Sequence, residues 1–251
     1  MRHRILLALV VFGTATICLP AAALSKGRVS AGPVLWKHDT DLKVERATNF
    51  DGSDDTSDQQ EKSWDVLGSG AGMRVGYELP RLLSFYGELG VTQATVRDKD
   101  IVDPNQDIGS LGLNDGVYYT LGARLGDDFS NGKLFWAVGG AVNVVSTDLD
   151  EDINTKWDYE ETNVSVDGRI GAWANRIGFY GGLRVADSSA DLRETDRTNP
   201  IGQQTRSIEM GRGESLDILI GARTRGADVS GFTELGLAGT FSASAGLSVA
   251  F

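Results

Sequence analysis

His38 is the residue of this chain best suited to move a proton near neutral pH, and Asp39 and Asp41 follow it closely. A histidine beside carboxylates is the material of general acid–base catalysis. No serine or cysteine nucleophile is paired with it by spacing, so the sequence more readily gives a solvated histidine than a base. A second cluster lies at 147–161. There Asp148, Asp150, Asp152 and Asn154 space oxygen donors as a calcium loop does. The glycine such a loop needs at its sixth position is Ile153, and the acid at its twelfth is Tyr159. The pattern fails at both demanding places, and no metal or cofactor is expected. A third set is dispersed: Arg74, Glu88, Arg124, Asp167, Arg169, Arg184, Asp217, Arg223 and Glu234 recur singly among small residues.

What positions these charges is a period of two. Segments near 28–38, 64–78, 83–97, 115–126, 133–146, 158–174, 177–190, 213–225, 229–238 and 240–251 alternate apolar with small or polar residues, as strands do. Val117, Tyr119, Leu121, Ala123 and Leu125 share one face; Tyr118, Thr120, Gly122 and Arg124 share the other. The dispersed charges all fall on the polar faces. Ten such strands, with eight or twelve as alternatives, predict a closed all-β antiparallel barrel, apolar outside and charged within. A tight turn at 79–83 would set Tyr77 opposite Phe85, and therefore Arg74 opposite Glu88. An interior of about ten strands sits near the size that side chains fill, so the charges read first as a salt-bridged filling and second as a narrow pore. A soluble barrel, with the faces reversed, is the rival, because alternation alone does not separate the two.

The connections alternate too. Short ones fall near 79–82, 127–132, 175–176 and 226–228, and long ones near 39–63, 98–114, 147–157 and 191–212. Short turns on one side and long loops on the other are the habit of barrels that span a membrane. Aromatic residues fall near strand ends. Trp36, Trp64, Tyr77, Phe85, Tyr119, Trp136, Trp173 and Phe179 are expected at the two headgroup levels. The acid-rich stretch within 39–63 reads as a solvated outer loop able to carry binding.

Residues 1–23 have Arg2 and Arg4, an apolar run from Ile5 to Leu19, and Ala21, Ala22 and Ala23, the form of a cleaved signal peptide. Residues 24–251 form the barrel domain. The one cysteine, Cys18, would leave with the signal, so no disulfide is expected. The formal charge of -11 argues against nucleic acid as a partner.

The chain thus resembles small bacterial outer-membrane β-barrel proteins. Its last strand alternates through Phe241, Ala245, Leu247, Val249 and Phe251, and in that family such an ending is read by the barrel-assembly machinery. The resemblance implies an outer-membrane location, with outer-membrane lipid and the assembly machinery as partners; the salt-bridged lumen points to a structural or envelope role, with limited small-solute permeability as its pore form. The alternatives are an adhesin or ligand-binding barrel acting through its outer loops and, more remotely, a rim-site hydrolase using His38. Omptin proteases keep such a site, but no omptin motif is found elsewhere in this chain.

Overall fold

The computed structural model describes residues 27–48, 51–53, 63–79, 83–98, 110–150, 155–198, 204–224, 226, 228–239 and 241–251. The expected signal segment 1–23, with Cys18, and the Asp152–Asn154 part of the acidic cluster lie outside the described residues. Ten strands follow in order: β1 (Arg28–Thr48), β2 (Ser63–Glu78), β3 (Leu83–Asp98), β4 (Ser110–Phe129), β5 (Leu134–Asp150), β6 (Thr155–Ala174), β7 (Ile177–Asp196), β8 (Gln204–Thr224), β9 (Val229–Leu237) and β10 (Phe241–Ala250). Each pairs antiparallel with its neighbours, and β1 closes the ring on β10. Tyr77 stands opposite Phe85 and Arg74 opposite Glu88.

The ring does not keep ten strands along its whole height. β9 and β10 have 9 and 10 residues, whereas β1 and β8 have 21 each. Beyond the tip of the short β9–β10 hairpin, β1 therefore meets β8 directly, from Lys43 opposite Gly211 to Thr48 opposite Ser207. The end that carries the termini is a ten-stranded barrel; the far end narrows to eight. Arg212, at a register shift in β8, ties the junction: it donates to Thr40 Oγ1 at 2.9 Å and to the Gly239 carbonyl in the hairpin tip.

The faces change character at the same level. In the wide half, Leu35, Met73, Leu89, Val91, Leu121, Ile170, Leu183 and Ile218 are exposed on the outside, Leu89 by 67%. Apolar side chains turned outward in a closed belt need hydrocarbon around them, and closure leaves no strand edge unpaired within it. In the narrow half, the alternation continues with the faces exchanged. Asp41, Lys43 and Glu45 are exposed, while Leu42 and Val44 are buried inside. Leu42, Val66, Val96, Leu113, Tyr118, Val145, Tyr159, Leu192 and Met210 form one packed apolar core there, with Trp36, Trp64 and Trp157 against it. That half is built like a soluble barrel and fills its own centre.

This corrects several sequence expectations. The outer connections are shorter than 39–63, 147–157 and 191–212 suggested, because β1, β5, β6, β7 and β8 run on past the apolar belt. Trp36 and Trp64 are not interface residues; they pack on the internal core. Trp173 also turns inward, its ring 5.0 Å from that of Phe135. Tyr77, Phe85, Tyr119, Trp136 and Phe179 lie on the outward register of their strands, with Tyr119 and Phe179 exposed. On β10, Phe241, Leu247 and Val249 are exposed on the outer face, Ala245 shares that face, and Phe251 follows.

Candidate functional site

Below the apolar core lies an interior cavity of about 240 Å3, and all nine dispersed charged residues line it. Period two explains why: each lies on the inward register of its strand, so the pleat aims it at the centre. Most are joined in pairs. Arg74 binds Glu88, with Nε 2.7 Å from Oε1. Arg169 joins two carboxylates, Asp167 at 2.7 Å and Glu234 at 2.8 Å, and the Tyr180 hydroxyl donates to Glu234 at 2.8 Å. Arg184 donates to Asp217 at 2.8 Å and to Ser242 at 2.8 Å. Arg223 lies over the rings of Phe135, at 3.8 Å, and Trp173, at 4.8 Å. Cations over aromatic faces are held by the ring quadrupole.

The lumen glycines do not leave empty space. Tyr86 lies over Gly122 and Tyr180 over Gly221; a Cβ at either glycine would stand 2.3 Å from the ring. The small residue on one strand is the seat for the large one beside it. The sequence reading did not place either tyrosine in the lumen, although each shares the inward register with the charges.

His38 is not at the rim. It stacks on Trp36, with ring centroids 5.1 Å apart and planes 2° apart, at the upper wall of the cavity. Its carboxylate neighbour is neither Asp39 nor Asp41 but Glu161, with Nε2 3.4 Å from Oε2. Tyr159, inside the narrow half and above the apolar belt, donates to Glu161 at 2.9 Å. Burial pushes the Tyr159 hydroxyl well above its ordinary pKa, and the Glu161 charge adds to the effect. Tyr159 is therefore a core side chain, not the twelfth residue of a calcium loop. Glu161 was missed, yet two-residue steps back from Asp167 reach it. In the acidic cluster itself, Lys156 bridges Asp158 at 2.6 Å and Asp148 at 3.4 Å, which face each other across β5 and β6. Among the described residues no group of three or more His, Cys, Asp or Glu is arranged to hold a metal ion.

A closed ring with an apolar outer belt and a charged interior is a β-barrel that spans a bilayer, the architecture of bacterial outer-membrane proteins. No family model matches the chain. No curated protein matches it either. Among solved structures it is similar to outer membrane protein OprG from Pseudomonas aeruginosa, at 11% identity over 90% of this chain and 96% of that one, with a TM-score of 0.49. It is similar to the outer membrane protease OmpT from Escherichia coli, at 11% identity over 89% and 97%, with a TM-score of 0.48. It is also similar to Ail, the attachment invasion locus protein of Yersinia pestis, at 13% identity over 89% and 99%, with a TM-score of 0.36. Likeness at this level concerns the shape of the chain, and none of these activities passes to it.

Proposed function

We propose that this protein is a non-conducting, non-enzymatic barrel of the bacterial outer membrane, with the termini on the periplasmic side and an envelope role. The observation that carries this is the apolar core across the narrow half. Tyr118, Leu42 and Leu113 are fully buried at the centre, where an open pore would hold water. Packed interiors leave few voids a water molecule can enter. The salt-bridged charges beneath then fill and brace the wide half, where hydrocarbon outside gives the strands little inward packing. The hydrolase reading required His38 at the outer rim; His38 instead lies beneath the core, against Glu161. Planar-bilayer recording tests the proposal. The wild type should give no steady conductance, and Tyr118→Ala combined with Leu42→Ala should open one. A wild-type channel of stable conductance would refute the sealing.

A further inference from the structure

The end of the barrel that bears the termini opens into a second cavity, a vestibule of about 350 Å3. It shares Arg74, Arg124, Arg223, Tyr86 and Phe232 with the inner cavity, so these residues form the floor between the two. The carboxylates divide unevenly across that floor. Glu88, Asp167, Asp217 and Glu234 line only the inner cavity. The vestibule's own acids, Glu78, Asp128 and Asp228, stand at its mouth, in strand ends and a turn. Asp128 accepts from Trp173 Nε1 at 3.0 Å and Asp228 is 3.4 Å from Arg28. A solute entering from this end passes the rim and meets three guanidinium groups, with the carboxylates of the inner cavity behind them.

Arg124 is the telling member. Among the described residues its side chain makes no hydrogen bond or ion pair, and its Nε is shut off from solvent without a partner. Asp167 approaches it across Gly139 but is taken by Arg169 at 2.7 Å. An Nε–H shut off from water without an acceptor is costly, and the half-buried guanidinium fork that carries it matches an oxyanion. The other two floor arginines are held rigidly: Arg74 is 4.3 Å from the Phe232 centroid and Arg223 is 3.8 Å from that of Phe135. Their positions cost little further ordering when an anion arrives.

We propose that the vestibule floor is a binding site for a small oxyanion, a carboxylate or a phosphate, entering from the end that carries the termini, with Arg124 as its principal ligand. This does not rest on the sealing of the narrow half. A silent and a conducting barrel present the same floor, so the bilayer recording and the experiment below fail independently.

The test is calorimetric titration of the folded, detergent-solubilised protein at low ionic strength with sodium benzoate and, separately, with sodium phosphate. Saturable binding of benzoate alone identifies a carboxylate site, of phosphate alone a phosphate site, and of both a general oxyanion site. Arg124→Gln should weaken binding at least tenfold, Arg124→Lys less, and Lys156→Gln on the exterior less than twofold. Should Arg124→Gln not fold, the wild type suffices: on adding either salt, the Arg124 Nε–H resonance must shift while that of Arg193, exposed on the exterior, stays. Binding of neither salt, equal binding by Arg124→Gln, or an unmoved Arg124 resonance overturns the proposal.

Discussion

Asp217→Ala isolates what the salt-bridged interior contributes. The Asp217 side chain is 1% exposed, and its Oδ2 accepts two bonds from Arg184, at 3.1 Å from Nε and 2.8 Å from the terminal nitrogen. Arg184 is itself only 20% exposed. Truncating Asp217 leaves that guanidinium with Ser242 as its remaining hydrogen-bond partner within the lumen. Removing one member of a buried pair costs about 3–5 kcal/mol, most of it the penalty of the charge left behind. The cavity beside Arg184 admits some water, so the lower value, about 3 kcal/mol, is expected. Replacing both partners with apolar residues, Arg184→Met with Asp217→Leu, removes the stranded charge and should return to within about 1 kcal/mol of the wild type. Urea unfolding in lipid vesicles, followed by tryptophan fluorescence and by heat-modifiable migration, gives both values. If Asp217→Ala costs less than about 1 kcal/mol, or the double variant costs as much as the single one, the pair is not buried as described.

Three further perturbations follow from the geometry. Tyr159→Phe removes the hydrogen bond to a Glu161 whose side chain is 5% exposed, and should destabilise by about 1–3 kcal/mol in the same unfolding assay. Ala238, at the tip of the short hairpin, has φ of 94°, a left-handed conformation that costs a residue bearing a Cβ about 1 kcal/mol or more. Ala238→Gly should therefore raise stability by about that amount. Gly122→Leu places a side chain where Tyr86 lies and should block assembly, seen as loss of the compact band on unheated gels; Gly122→Leu with Tyr86→Ala should recover it.

Strand positions and facing were legible in the sequence because one rule, period two, sets both. The hydrophobic outer face of Val117, Tyr119 and Leu121 and the inward set ending in Arg124 follow from it directly. The closeness of Arg74 to Glu88 needed only a turn length as well. What the rule could not give was the level at which the faces exchange roles. Leu42 and Val44 alternate with Lys43 and Glu45 as regularly as Arg74 does with Val75, but with the apolar side inward, so the segment read as a loop. The change in polarity of the outer face, from Leu35 to Asp41 and Lys43, was the available signal. Pairings that link distant strands stayed hidden for a different reason. His38 and Glu161, or Arg169 and Glu234, meet across the lumen, and their meeting depends on how the ring closes. The direct contact of β1 with β8 likewise follows from the brevity of β9 and β10, a difference of length that alternation does not register.

The central claim, that the interior opens toward the termini and is sealed beyond the inner cavity, is tested most directly by reaction from each side of a membrane. Cys18 is replaced by Ser, Ser248→Cys is introduced on the vestibule wall, and the protein is reconstituted in vesicles of known orientation. A small membrane-impermeant thiol reagent should modify Ser248→Cys readily from the side that bears the termini and not from the other. Comparable modification from the opposite side would show a continuous passage through the barrel and contradict the account.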